Sequence, residues 1–297
     1  MDVNDFSAFA PAKINLYLHV TGRRDNGYHE LDSLVVFADV GDRVRAKLAM
    51  KTTLEISGPY AGELENCEGN LVLRAFKALS AYIGSTANIG LKLEKNLPIA
   101  SGIGGGSADA SAVIKALIKL WDIHLDERDL FGLALDLGAD VPACLVGKPT
   151  YMSGIGEILE PVEKLPALPA VLVNPDIRIP TSAVFKGFSM RISEPGRIND
   201  MPGDIEGLVS ILAGRRNDLY DTANDIVPEI ANVLSMLEAT SGCLLARMSG
   251  SGATCFGIYG NDADAQVAAH MIGGIKPYWW VVPTILQGTG GQRPFQF

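Results

Sequence analysis

The sequence predicts an α+β protein in two halves. Period-two apolar alternation dominates the opening third, and helical spacing then mixes with further strands without a strict βαβ alternation. Between Pro161 and Pro169 the chain becomes proline-rich and loses periodicity, so the predicted boundary divides residues 1–160 from 161–297.

The elements follow in order. Ile14 to Val20 alternates as a strand, and Leu34–Phe37 and Val44–Leu48 read as two more, across Gly and Asp turns. Leu71, Ala75, Ala78 and Leu79 fall at helical spacing, and Ile89, Leu91 and Leu93 return to alternation in a strand ending near Lys95. Ala110, Val113, Ile114, Leu117, Ile118 and Trp121 mark one face of a helix beginning at about Ser107. A helix over Glu127–Leu137 stops at Gly138, a residue helices commonly stop on.

The second half opens with a strand at Ala170–Val173 and a helix near Thr181–Phe188. A loop over Ser193–Asp204 reads as a lid or as an insertion. Helices are expected at Ile205–Ala213 and Val227–Ala239, then a glycine-rich strand pair over Ala246–Tyr259, a helix at Ala263–Met271 and a last strand at Trp279–Pro283.

Composition narrows the function. With 297 residues and 47% hydrophobic side chains, the chain can bury one large or two ordinary cores. A net charge of -9 and no long Lys/Arg run argue against a nucleic-acid partner. No stretch reaches the roughly 20 apolar residues of a membrane span, and the first residues lack the marks of a signal peptide, so the expected location is the cytoplasm. Cys67, Cys144, Cys243 and Cys255 form no C-x-x-C pair, and His19, His29, His124 and His270 have no metal-ligand spacing, so no protein-built metal cage is expected.

Pro98-Ile99-Ala100-Ser101-Gly102-Ile103-Gly104-Gly105-Gly106-Ser107 lies between a predicted strand and a predicted helix. Missing Cβ atoms let the backbone approach an anion, and the helix start offers unpaired N–H groups, so phosphate is the natural occupant. The run ends Gly-Ser-Ala, not the Gly-Lys-Ser/Thr of a Walker A loop. Ser107 stands where the dinucleotide template G-x-G-x-x-G needs its last glycine. A flexible surface loop is the alternative.

The run PIASGIGGGSA resembles the phosphate loop of the GHMP small-molecule kinases. Pro11-Ala12-Lys13-Ile14-Asn15-Leu16 and Met248-Ser249-Gly250-Ser251-Gly252-Ala253-Thr254 resemble two further segments of that family, in the same order. The resemblance implies a two-domain fold, with a sheet and helices like ribosomal protein S5 domain 2 followed by a ferredoxin-like domain. It also implies transfer of the γ-phosphate of ATP, as the Mg²⁺ complex, to a hydroxyl. The extension from Thr21 through Tyr28-His29-Glu30-Leu31 resembles the branch that phosphorylates the 2-hydroxyl of diphosphocytidyl methylerythritol in non-mevalonate isoprenoid synthesis. Asn217-Asp218-Leu219 and Ile179-Pro180-Thr181 resemble the same branch.

Roles follow on that footing. Asp140, in Gly138-Ala139-Asp140-Val141-Pro142, suits the acceptor of the hydroxyl proton; a structural cap or ion pair is the alternative. Lys13 is a cation within an apolar strand, which implies a partner carboxylate such as Asp140, or else a chain that snorkels to water. Asn15 faces the same side as a substrate hydrogen-bonder. Tyr28, His29 and Phe185 suit a cytosine ring, with Thr181 nearby, although Phe185 by itself reads more often as core. Pro98, Ser101, Gly102, Gly104, Gly105, Gly106 and Ser107 are expected along the phosphates, and Gly250 and Gly252 behind them. The Ser107 hydroxyl is a candidate magnesium ligand, and no carboxylate is assigned to the metal. The expected partner is the small-molecule substrate, with the chain a monomer or homodimer.

Overall fold

The computed structural model describes residues 5–64, 69–189 and 192–289; Cys67 lies outside them. β1 (Asp5–Arg23) and β2 (His29–Leu48) form one long antiparallel ribbon, from Asp5 opposite Lys47 to Arg23 opposite His29. Two short strands were expected where β2 runs on unbroken. Asp42 is the reason: it is fully buried, and its carboxylate accepts hydrogen bonds from the N–H groups of Asn96 (2.6 Å) and Leu97 (2.8 Å), so it continues the strand instead of turning it toward solvent. The ladder slips between Pro11 and Lys13, a bulge that re-aims the residues after it.

β3 (Thr53–Ser57) runs parallel to β4 (Ile89–Glu94), which pairs with the C-terminal part of β2. β5 (Thr150–Gly154) joins the N-terminal part of β2, and β6 (Ile158–Pro161) joins β5. β3, β5 and β6 are short and carry too few alternating apolar residues to announce themselves. On this sheet pack α2 (Gly105–Trp121) and α4 (Val141–Val146), with α1 (Leu71–Ile83) and α3 (Glu127–Leu137) against those helices. α1 starts where the Asn70 side chain accepts the Val72 N–H at 2.9 Å. Val113, Ile114 and Leu117 of α2 are fully buried in one core with Val35 and Phe37 of β2. Burial of each such side chain contributes roughly 1.5–3 kcal/mol, which fixes α2 and the loop before it on the sheet.

The second half contains β7 (Leu168–Asn174), α5 (Thr181–Gly187), α6 (Ile205–Ala213), α7 (Tyr220–Ile226), α8 (Glu229–Glu238), β8 (Cys243–Met248), β9 (Cys255–Tyr259), α9 (Asp262–Ile275) and β10 (Trp280–Leu286). Its sheet has the order β10-β7-β9-β8 with every pair antiparallel. With α8 before β8 and α9 before β10, this is the ferredoxin-like βαββαβ arrangement. The helix expected over Val227–Ala239 begins only after Pro228, which separates α7 from α8. The two sheets meet at Leu286 opposite Ala38.

The loop over Ser193–Asp204 is fastened down rather than poised as a lid. The Ser193 N–H donates to Val20 O (2.8 Å), the Gly196 N–H to Asp32 Oδ2 (2.6 Å), and the Tyr151 hydroxyl to Ile198 O (3.0 Å). Its contacts reach β1, β2 and β5, so it ties the second half of the chain to the first.

Candidate active site

The glycine-rich run spans from the end of β4 to the start of α2, along one wall of a cavity of about 570 Å³. Pro98, Ser101, Gly102, Gly104, Gly105, Gly106 and Ser107 all line it. α2 begins at Gly105, two residues before the expected start, so the N–H groups of residues 105–107 belong to its first turn and lack helical partners. The loop's shape is set by hydrogen bonds from outside it. The Lys13 N–H donates to Ile103 O (2.9 Å), the Ile179 N–H to Ala100 O (3.1 Å) and the Thr254 N–H to Ser101 O (3.2 Å).

Gly250 supports the loop from behind. It has φ +54°, and a Cβ there would lie 2.4 Å from Gly102 O. Gly102 itself has φ +75°, and a Cβ on it would come within 2.6 Å of Gly252 N. Gly250 reaches the cavity wall, whereas Gly252 sits behind Gly102 and does not line it. Two backbones meet where only glycine allows the approach.

Opposite the loop, Asp140 stands at the N-terminus of α4, a helix too short to read from the sequence. Lys13 Nζ donates to Asp140 Oδ1 at 2.8 Å and to Asn15 Oδ1 at 3.2 Å. The Lys13 side chain is 4% exposed and that of Asp140 37%, so the cation is fixed inside while the carboxylate opens to the cavity. Asn15 is held in turn, its amide donating to Ser33 Oγ at 2.7 Å and its N–H to Ser249 Oγ at 3.1 Å. A carboxylate held in position beside a row of unpaired backbone N–H groups is an arrangement that can move a phosphoryl group to a hydroxyl.

α5 supplies another wall. Thr181 and Phe185 line the cavity, with Thr181 Oγ1 3.0 Å from Ser251 Oγ. His29 does not line it, but its ring stacks on Phe185 (centroids 5.4 Å apart) and meets the Phe188 ring edge-on at 5.6 Å. Burial, and then the charge of Arg23, hold the His29 imidazole below its ordinary pKa. Tyr28 is 58% exposed at the turn and stands outside the cavity. The cavity therefore gathers Lys13, Asn15, the loop, Asp140, Thr181, Phe185 and Gly250, with His29 at its border. It also contains Lys95, Asp109, Asn70 and Ser251, which the sequence reading passed over. Lys95 and Asp109 left a trace, as charged residues flanking the glycines in otherwise apolar elements.

Among the described residues no group of three or more His, Cys, Asp or Glu side chains could hold a metal, and no helix is long and apolar enough to cross a membrane.

Residues 70–148 match the family described as GHMP kinases N terminal domain, and residues 205–274 match GHMP kinases C terminal. A protein of Paramagnetospirillum magneticum named 4-diphosphocytidyl-2-C-methyl-D-erythritol kinase is 47% identical over 96% of this chain and 99% of its own length. The chain belongs to the GHMP kinase family. This GHMP kinase is also 52% identical to a protein of the same name from Cereibacter sphaeroides, over 95% of this chain and 99% of that one. Among solved structures, a 4-(cytidine 5'-diphospho)-2C-methyl-D-erythritol kinase superposes with a TM-score of 0.74 at 33% identity, covering 95% of this chain and all (100%) of the other. The homoserine kinase of Cytophaga hutchinsonii superposes with a TM-score of 0.73 at 18% identity, over 96% of this chain and 95% of the other, a likeness of fold. This member is accordingly a small-molecule kinase with ATP as phosphate donor.

Proposed function

We propose that this GHMP kinase transfers the γ-phosphoryl group of ATP to the 2-hydroxyl of 4-diphosphocytidyl-2-C-methyl-D-erythritol, a step of non-mevalonate isoprenoid synthesis in the cytoplasm, where ATP is available. The observation that carries the mechanism is the Lys13–Asp140 pair facing the glycine-rich loop across one cavity. The relatives' names carry the acceptor.

Phosphoryl transfer passes through a loose transition state, so the protein supplies alignment and charge compensation. The N–H groups of Gly104–Ser107 bind the phosphates, and residues 1–160 contribute both this loop and the base. Asp140 accepts the proton of the attacking hydroxyl. Lys13 orients that carboxylate through the 2.8 Å contact, and Asn15 adds an amide at the same point. Residues 161–297 complete the pocket with Thr181 and Phe185, and with Gly250 and Gly252 behind the loop. Phe185 offers a stacking surface to cytosine, and neutral His29 can both donate and accept at the base's edge.

A magnesium ion, if carried in on the nucleotide, would supply neutralisation of phosphate charge, with Ser107 the residue that would hold it. The donor set fits that role: Ser107 lines the cavity, and among the described residues no group of three or more His, Cys, Asp or Glu side chains forms a metal cage.

The test is ATP-dependent transfer in Mg²⁺ buffer to the diphosphocytidyl acceptor beside homoserine, mevalonate and galactose. Turnover confined to the first acceptor is expected. Preference for any other would leave the kinase site standing and remove the cytidine assignment.

A further inference from the structure

One buried lysine grips both ends of the phosphate loop. Lys95 lies three residues before Pro98, and its Nζ is 2.5 Å from Asp42 Oδ2 and 2.7 Å from Asp109 Oδ2. Asp42 belongs to β2, and Asp109 sits in α2 just past its first turn, two residues beyond Ser107. All three side chains are at most 4% exposed. The second oxygen of Asp42 takes the N–H groups of Asn96 and Leu97, so one carboxylate holds the whole approach to the loop. Lys95 Nζ lies directly beneath the glycines, 3.2 Å from where a Cβ on Gly105 would stand.

Shape alone does not call for charges here. Burying ions is costly, and an apolar trio of similar volume often stabilises a fold as well or better. What ionic hydrogen bonds add is direction, because a lysine between two carboxylates fixes three points at once. Those points are the sheet, the residue that begins the loop and the helix turn that ends it. Asp109 Oδ1 is also buried without a hydrogen-bond partner, and both Asp109 and Lys95 line the cavity with the glycine-rich loop. Neither touches the Lys13–Asp140 pair through any described hydrogen bond.

We propose that Lys95, Asp42 and Asp109 are positioning residues for the nucleotide: together they set the spacing of the loop's two ends, and so the aim of the Gly104–Ser107 N–H groups at the phosphates. The proposal rests on the reading that this loop holds ATP.

The experiment measures KM for ATP and for the diphosphocytidyl acceptor, with calorimetric binding of Mg²⁺-ATP and thermal unfolding, for wild type, Lys95→Met and Asp109→Asn. Lys95→Met is expected to raise KM for ATP at least tenfold while KM for the acceptor changes less than twofold. Asp109→Asn, which keeps shape and a hydrogen-bond acceptor, is expected to raise KM for ATP about threefold and to report the same split should Lys95→Met not fold. Unchanged KM for ATP in a folded variant, or equal rises for both substrates, would overturn the proposal. Failure of the wild type to bind Mg²⁺-ATP would instead overturn the functional reading beneath it.

Discussion

Lys13 Nζ and Asp140 Oδ1 lie 2.8 Å apart across 127 residues of sequence, with the lysine buried and the carboxylate open to the cavity. The bulge in β1 and the N-terminus of α4 exist, in effect, to make that contact. Removing the cation while keeping its length isolates what the contact does. Lys13→Met is expected to lower kcat by about 10²-fold with KM for ATP little changed, the loss typical of one preorganised electrostatic group. Steady-state kinetics with each substrate varied in turn checks it.

The contact between the loop and the segment Met248–Thr254 tolerates no side chain. Gly250→Ala would place a methyl 2.4 Å from Gly102 O at a φ of +54°, so the loop must shift or the turn behind it must strain. A stability loss of about 1–3 kcal/mol is expected from a strained φ/ψ position, together with a raised KM for ATP. Urea unfolding and ATP kinetics on the same preparation read both. A variant with wild-type values would mean that the two backbones separate freely.

His29 gives a pH dependence with a defined sign. Its pKa is lowered by burial first and by Arg23 second. Above the ordinary histidine value of about 6.5 the ring is neutral in folded and unfolded chains alike. As the pH falls through that value, an unfolded chain takes up a proton that the folded ring resists, so His29's contribution to stability is present above about pH 6.5 and is lost below it. KM for the diphosphocytidyl acceptor is expected to stay flat above pH 6.5 and to rise only below the pKa of free histidine. A His29→Gln variant should lose that limb, and NMR titration of the ring gives its pKa directly.

Arg247 shows what holds the second half of the chain on the first. It is buried, and its guanidinium donates to Leu16 O (2.7 Å), Leu212 O (2.8 Å) and Arg215 O (2.8 Å). Desolvation lowers its pKa to about 10. Arg247→Met removes all three hydrogen bonds, and a loss on the order of 3 kcal/mol is expected in chemical unfolding. Arg247→Lys should recover only part of it, because an ammonium cannot reproduce the planar fork.

The sequence made strong local signals legible and weak or distant ones not. α2, α3 and α6 have long apolar faces, and their positions could be read to within a residue or two. The glycine run, Lys13 and Asp140 could be read because each breaks a local pattern: too many glycines, a cation in an apolar strand, an acid in a Gly-Ala-Asp-Val-Pro turn. α4 could not, since six residues carry no full period. Gly41-Asp42 looked like a turn because its partners, Lys95 to Leu97, lie more than fifty residues away. The buried group beneath the loop was hidden for the same reason, as its three charges come from three elements. Tyr28 was expected at the pocket and stands exposed on its turn, a placement set by Asn26-Gly27 geometry rather than by residue type.

In the proposed mechanism Asp140 takes the acceptor's proton. Asp140→Asn keeps the shape and can still meet Lys13 through its side-chain oxygen, while removing the basic charge. The most direct measurement is single-turnover transfer from ATP to the diphosphocytidyl acceptor by this variant, with acceptor binding measured on the same protein. A rate lower by about 10²–10⁴-fold with acceptor binding within a few-fold of wild type is expected. A variant that transfers at the wild-type rate would contradict the account.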